Sequence, residues 1–318
     1  MSSGANAEQL DHQKFRKLVA KAQAYPPART AIAHPCDKVA IESAVEGRRL
    51  KLIEPILVGP EARIREAAEG FSIEGMEIVD ADHSHDSAAK AVALIREGRA
   101  DLLMKGSLHT DELMGAVVAR DTGLRTARRI SHSFVMDVPD HEDALIISDA
   151  AVNIAPTLQV KVDIVQNAID LARALGVTDV RVAILSAMET VNPNVPSTLE
   201  AAALCKMADR GQITGGLLDG PLALDNAIDP EAAAIKKISS PVAGRANVLI
   251  VPDLESGNML AKSLSFLAGA DAAGIVMGAR VPIILTSRAD ALLTRLASFA
   301  VALLVSASRR KDLSAAIQ

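Results

Sequence analysis

Val281–Val305 reads VPIILTSRADALLTRLASFAVALLV. Its first six residues, Val281 to Thr286, have the uninterrupted apolar character of a strand buried on both faces. An abrupt polar turn follows, and then a long apolar-rich helix. Ser287, Arg288 and Asp290 fall at the turn, where strand gives way to helix N-terminus. In parallel α/β proteins ligands gather there, because the first N–H groups of a helix have no intrahelical partner and face anions. Two readings of the turn stand side by side. Ser287 can cap the helix and Asp290 complement its dipole, leaving Arg288 a solvated charge. Alternatively, Arg288 beside a capping Ser puts a guanidinium and an N–H cluster at one point, a combination suited to phosphate. Thr294, one turn beyond Asp290 and seven residues beyond Ser287, is expected on the same face.

Working outward, strands alternate with helices over the first 120 residues. Thr30–Ala33, Pro55–Val58, Met76–Val79 and Leu102–Lys105 read as strands. Lys38–Glu46, Glu61–Glu69, Ser84–Glu97 and Thr110–Arg120 read as helices, after an amphipathic helix over Gln9–Ala24. That alternation marks parallel βαβ units. Ser131–Val138 and Ala144–Ser148 then read as strands with only five residues between them, which suggests an antiparallel pair and a domain crossing. Further on, Thr157–Leu175, Ser197–Asp209, Glu231–Ile238 and Asn258–Ala268 read as helices. Arg181–Leu185, Gly215–Asp219, Val248–Val251 and Ile275–Met277 read as strands. The expectation is an α/β protein of two doubly wound domains with a cleft between them. Residues 1–139 with 281–318 form one domain, and 140–280 the other.

Composition narrows the function classes. The 318 residues are 49% hydrophobic and 23% charged, a globular balance with ample core. A net charge of −5 argues against a duplex nucleic-acid binder, and 2% aromatics with no Trp leaves few stacking platforms. The apolar run Leu296–Val305 is far short of the ~20 residues needed to span a bilayer. No signal-peptide pattern opens the chain. The two cysteines, Cys36 and Cys205, cannot make a disulfide framework or a thiolate zinc site, and no flanking base marks either as a nucleophile. A cytoplasmic protein is expected, with no nucleic-acid or membrane partner.

Other stretches carry candidate chemistry. Pro252–Asn258 (PDLESGN), with Lys262 a turn later, is a strand running into a Gly-Asn turn. It can cradle an anion or a cofactor amide, or be an ordinary strand-to-helix connection. Asp219, Asp225 and Asp229 could hold Mg²⁺, although such a loop is more often solvated. Lys105-Gly106-Ser107-Leu108-His109 follows an apolar strand, and Arg128-Arg129-Ile130-Ser131-His132 could bind a phosphate tail. The seven histidines show no metal-ligand spacing, and neither GxGxxG nor a Walker A pattern is present.

Taken together and in order, MKGSLHT (104–110), RRISHSFVMDVP (128–139), ISDAAVNIAPT (147–157), LDGPLALDNAI (218–228), VPDLESGNMLAKSL (251–264) and TSRAD (286–290) resemble the phosphate acetyltransferase/phosphate butyryltransferase family from about Lys38 onward. The wording VNPNVPSTLEAA and DGPLALDNAI is similar to the butyryl branch, and to the transacylase part of fused hydratase–transacylase proteins. The resemblance implies reversible acyl transfer between CoA and inorganic phosphate, with CoA as a substrate and no tightly bound cofactor or metal. It implies an isocitrate/isopropylmalate dehydrogenase-like fold, a site in the interdomain cleft and a homodimer. It places catalysis on Ser287 and Arg288, the Ser hydrogen-bonding near the thiol and the Arg holding phosphate. Where the acetyl branch has an Asp base seven residues beyond that Ser, this chain has Thr294, so Asp290 is the nearest carboxylate. An Arg of that branch is replaced around Met114. The matching stretches make Lys105, Ser107, His109, Arg129, Ser131, Asn153, Asp219, Gly257, Asn258 and Lys262 the candidate binding residues.

The expected chemistry is direct attack of the CoA thiolate on acyl phosphate in a ternary complex. A thiol of pKa about 8.5 gains from a positioned base, and Arg288 or helix N–H groups can stabilise the developing oxyanion. Two alternatives stand beside it. One is a metal- and NAD-dependent oxidative decarboxylase of the same fold, using Asp219, Asp225 and Asp229. The other is a non-catalytic CoA-binding sensor.

Overall fold

The computed structural model describes residues 13–139, 141–286 and 290–317. The chain separates into two compact units, Phe15–Arg128 with Ala273–Gln318, and Arg129–Ala272 with the residues up to Lys14. The crossings therefore fall after Arg128 and Ala272, where the sequence suggested residues 139 and 280. The first moves because the strand Ser131–Asp137 is hydrogen-bonded along its length to Leu145–Ser148, so both strands go with the second unit.

In the first unit the helix α1 (Gln13–Ala22) precedes β1 (Ala28–Ala33), α2 (Lys38–Arg49), β2 (Ile53–Gly59), α3 (Glu61–Ala67), β3 (Glu77–Asp80), α4 (Ser84–Arg96), β4 (Leu102–Lys105) and α5 (Thr110–Val118). The chain returns with β10 (Asp271–Met277), β11 (Ile283–Ile284) and α11 (Leu292–Ile317). Strand order is β3-β2-β1-β4-β11-β10. All neighbours are parallel except β10 and β11. The chain winds from β1 outward to β3, then crosses to the other side of β1 to lay down β4. That reversal opens a crevice at the carboxyl ends of β1 and β4, the position that ligands use in such sheets.

Local chemistry explains the elements. Asp37 starts α2 by accepting from the Ala40 N–H at 2.8 Å, a cap whose loss costs about 1 kcal/mol. Leu102, Leu103 and Met104 of β4 are buried, as expected of a strand covered on both faces. The strand expected over Val281–Thr286 shrinks to Ile283–Ile284, and Pro282, which has no N–H to give the ladder, bounds it at its start. Helix α11 starts at Leu292, so Asp290 precedes the helix instead of lying in its first turn. Leu292–Lys311 is long and apolar enough by composition to cross a bilayer, more than Leu296–Val305 suggested. Its apolarity serves the core, because Phe299, Ala300, Val301 and Ala302 expose no surface. Gly47 of α2 makes room for them: a Cβ there would stand 3.0 Å from both the Phe299 ring and Ile53.

The second unit contains β5 (Ser131–Asp137), β6 (Leu145–Ser148), α6 (Leu158–Ala174), β7 (Arg181–Leu185), α7 (Pro196–Asp209), β8 (Leu217–Leu222), α8 (Leu224–Ile228), α9 (Pro230–Ile235), β9 (Val248–Ile250) and α10 (Leu254–Leu267). Strand order is β5-β6-β9-β7-β8, antiparallel at β5/β6 and parallel elsewhere. A buried apolar cluster that includes Met136, Leu145, Ile147, Leu249 and Val251 forms its core. Two expectations shift here. The helix expected over Glu231–Ile238 is α9, which starts at Pro230 under an Asp229 cap and ends at Ile235, and the short α8 precedes it. Helix α10 begins at Leu254, four residues early, because Asp253 caps it by accepting from the Ser256 N–H at 2.8 Å.

Candidate functional site

In the first unit the carboxyl ends of β1 and β4 are tied by backbone. Gly106 and Ser107 donate their N–H groups to the carbonyls of Ala33 and His34, each at 2.9 Å. The Ser107 hydroxyl donates to the same His34 carbonyl at 2.8 Å. The two chains approach so closely that a Cβ on Gly106 would stand 2.5 Å from the Ala33 oxygen and 2.6 Å from that of His34. Only glycine fits there without moving backbone. Lys105 folds over the loop, its Nζ donating to Gly106 and Leu108 carbonyls at 3.1 and 3.4 Å.

Beside this junction lies a cavity of about 550 Å³, lined by residues that include His34, Cys36, Arg63, Ser107, His109 and Glu112. That volume is within the usual range of small-molecule sites. The Glu112 carboxylate accepts from the Ser84 hydroxyl at 2.6 Å and the His109 N–H at 2.8 Å. Those two bonds, Ser84's first, hold Glu112 below the usual carboxylate range. His34 bonds Ser87 through Nδ1 at 3.0 Å. Burial and then the Arg63 guanidinium push its pKa below the ordinary value, so the ring is neutral at pH 7. Burial raises the Cys36 thiol, which makes it a poor nucleophile. The cavity thus offers a cation, hydroxyl and imidazole groups and the N-terminus of α5, a set able to receive an anionic ligand.

Ser287 and Arg288 lie outside the described residues. Their flanks are placed: Thr286 lines a small cavity with Asp37, Lys105, Gly106 and Arg295, and the Asp290 carbonyl accepts from Arg295 Nη1 at 3.2 Å. Thr294 is 3% exposed, and its Oγ1 has no hydrogen-bond partner among the described residues.

In the second unit the loops after β6 and β9 meet. Asp149 is buried and gathers the first loop, Oδ1 accepting from the Ala151 and Val152 N–H groups at 3.0 and 3.1 Å. Its Oδ2 accepts from the Asn153 N–H and side-chain amide at 3.1 and 2.5 Å. Asn153 also donates to the Ile130 carbonyl at 2.9 Å, and Asn258 reaches the Ala150 carbonyl at 3.4 Å. Gly257 packs so tightly beneath that a Cβ would come within 2.8 Å of the Asp149 oxygen. Ser131 is fully buried and accepts from Asn167 at 2.8 Å. Arg129 is exposed, its N–H donating to Asp163 at 2.9 Å. Lys262 is exposed on α10.

The structure therefore brings Asn153, Gly257 and Asn258 together in one unit, and Lys105, Ser107 and His109 together in the other. Asp219 stands apart from the first group. It lies on β8, with β7 and β9 between it and β6, about 14 Å away at the usual strand spacing. Its Oδ1 accepts from the Gly220 N–H at 2.8 Å, while Asp229 caps α9 and Asp225 is exposed. The Asp219, Asp225 and Asp229 carboxylates do not converge, and no group of three His, Cys, Asp or Glu side chains among the described residues is set to hold a metal. Sequence reasoning missed His34, Arg63, Ser84, Glu112 and Asp149. The turn His34-Pro35-Cys36-Asp37 carried the usable signal, since it ends the first strand of a winding that reverses there.

Comparison with known proteins gives these parts a family. The family described as Phosphate acetyl/butaryl transferase matches residues 75–303. A phosphate acetyltransferase from Rhizobium meliloti is 65% identical over 96% of this chain and 97% of its own length. A probable phosphate butyryltransferase from Bacillus subtilis is 42% identical over 92% of this chain and 98% of its own. The crystal structure of a branched-chain phosphotransacylase from Enterococcus faecalis superposes with a TM-score of 0.77 at 28% identity, covering 88% of this chain and 99% of that one.

Proposed function

The chain belongs to the phosphate acetyl/butyryl transferase family, and from that premise we propose how its residues divide the work of moving a short acyl group between CoA and inorganic phosphate. The observation that carries the reading is the junction at β1 and β4. A glycine-crossed loop bearing Lys105, Ser107 and His109 opens beside a cavity of about 550 Å³ that Arg63 also lines. We assign that cavity to anionic parts of the substrates. Thr286 and Asp290 bracket Ser287 and Arg288, to which we give the catalytic roles.

Arg288 neutralises phosphate and stabilises the oxyanion as the acyl carbon becomes tetrahedral. Ser287 donates or accepts a hydrogen bond at the thiol and carries no acyl group. In the synthesis of acyl-CoA the thiolate sulfur bonds to the acyl carbon, the carbon–oxygen bond to phosphate breaks, and phosphate leaves with the electron pair. Asp290 is the nearest carboxylate in sequence to take the thiol proton. Thr294, with its hydroxyl enclosed, serves the site as a neutral wall. In the second unit we propose that the loop Asn153 braces and the close-packed Gly257 form a shaped wall for CoA beside Asn258, with Arg129 and Lys262 as exposed cations for its phosphates. Ser131 supports them through Asn167. We favour acetyl as the acyl group, since the 65% identical relative is named an acetyltransferase, against the butyryl wording of two sequence stretches. The alternative of a metal- and NAD-dependent decarboxylase is not favoured.

We also propose a cytoplasmic homodimer. CoA is a polyanion that does not cross a bilayer unaided, and the enzyme has to share its compartment. Met259, Phe266 and Leu267 of α10 leave 62, 85 and 87% of their surface exposed, an apolar face that a partner subunit would cover. The test of the catalytic assignment is Arg288→Ala. Turnover should fall about a hundredfold or more, as when an oxyanion-stabilising donor is removed, with the melting temperature kept. A folded variant at wild-type rates would remove Arg288 from the chemistry.

A further inference from the structure

Arg295 is a buried cation one turn into α11, with 4% of its surface exposed. Its guanidinium reaches in two directions. Nη1 donates to the Asp290 carbonyl at 3.2 Å, and Nη2 to the Glu42 carboxylate of α2 at 2.8 Å. The third donor, Nε, is buried with no partner among the described residues. An arginine is always charged, so its enclosure is costly unless the pairing is good. A purely packing role would be met better by an apolar side chain, which leaves no N–H unpaired.

What the two satisfied nitrogens do is join elements. Glu42 lies on the helix that begins at Asp37, directly after the turn lining the large cavity. Asp290 follows Arg288 by two residues in the chain. Arg295 itself lines the small cavity shared by Asp37, Lys105, Gly106 and Thr286. A planar fork can span the carbonyl and the carboxylate at once, whereas a lysine ammonium is a point charge on a flexible stem.

We propose that Arg295 is a positioning residue that fixes Asp290, two residues beyond Arg288 in the chain, against α2. The assignment rests on the acyl-transfer reading of Ser287 and Arg288. Its signature is a split in kinetics: acyl-CoA binds as before, and the reacting groups are misplaced. Displacement of about 1 Å is enough to cost roughly a hundredfold.

The test uses the full chain carrying Arg295→Met, Arg295→Lys or Glu42→Gln, with kcat, both KM values and the melting temperature measured for each. Arg295→Met should lower kcat about a hundredfold while the KM for acyl-CoA stays near wild type. Arg295→Lys should fail to restore it. Glu42→Gln, which keeps Arg295 and a neutral hydrogen bond, should lower kcat about tenfold at an unchanged melting temperature, the effect of about 1.4 kcal/mol at the barrier. If Arg295→Met does not fold, Glu42→Gln decides. Wild-type kcat in folded Arg295→Met or in Glu42→Gln, full activity of Arg295→Lys, or a loss that only tracks the unfolded fraction would overturn the proposal. Arg288→Ala run in parallel separates the two failures. Loss there with wild-type Glu42→Gln refutes the positioning role alone, and wild-type rates in Arg288→Ala refute the catalytic reading beneath it.

Discussion

Acid should loosen this protein through His132. The ring is 2% exposed on β5, stands edge-on to Phe134 with centroids 4.5 Å apart, and has no partner for Nδ1 among the described residues. Burial disfavours the charged imidazolium and lowers the pKa to about 4, against the opposing pull of the Asp149 charge. The unfolded chain has the ordinary value of about 6.5. Between those values the unfolded state binds more protons than the native state, so stability rises with pH and is lost as pH falls from 6.5 toward 4. Linkage over that interval gives a loss of about 2 kcal/mol between pH 7 and pH 4.5 from this residue alone. The assay is urea denaturation at those two pH values for wild type and His132→Phe. The substitution keeps an aromatic ring beside Phe134 and removes the titration. Its stability difference between the two pH values should be smaller than wild type's by about 2 kcal/mol. An unchanged difference would show that His132 is not held neutral by burial.

Gly106→Ala should be among the most damaging small changes in the first unit. A Cβ 2.5 Å from a backbone oxygen forces the β1 and β4 ends apart, for about 1–3 kcal/mol of stability and a larger loss of kcat/KM. A near-normal enzyme would mean that the junction is not the site. Asn153→Ala removes the side-chain donor to Ile130 and Asp149 and takes from the Ile130 carbonyl that partner, while Asp149 keeps its backbone N–H donors, for about 1–3 kcal/mol by denaturation and a raised KM for CoA. Wild-type values on both would detach Asn153 from loop and ligand alike. Cys205, its thiol pushed up to about 12 by burial first and then by Asp219 and Asp209, should resist alkylation in the native protein at pH 8. Rapid stoichiometric modification there, traced by peptide mapping, would contradict that burial.

Much of the architecture was legible because hydrophobic burial writes itself into the sequence as period and punctuation. Leu102–Lys105 was read to the residue, since an apolar run ending in Lys-Gly-Ser stops where the sheet stops. The antiparallel pair of β5 and β6 was legible from two alternating runs with a short connection. Where reading failed, long-range partners decide. Val281–Thr286 has the apolarity of a full strand, yet pairing survives at two residues, and Pro282, with no proton for the ladder, was the one local sign against its first residues. The half-sites were legible as loops after strands. Asp149, Arg63 and Glu112 were not, because their roles arise from burial and from neighbours distant in sequence. Asp219 shows the converse. Its motif is conspicuous, but the strand order carries it to the sheet edge, away from Asn153 and Gly257.

The central claim, acyl transfer between CoA and phosphate, is tested most directly by CoA release. Acetyl-, propionyl- and butyryl-CoA are offered to the enzyme with and without inorganic phosphate, and the free thiol is followed with a chromogenic reagent. The account predicts release that requires phosphate, yields acyl phosphate in equal amount, and is fastest with acetyl-CoA. Release that proceeds equally without phosphate, or none from a folded protein that binds CoA, would contradict it.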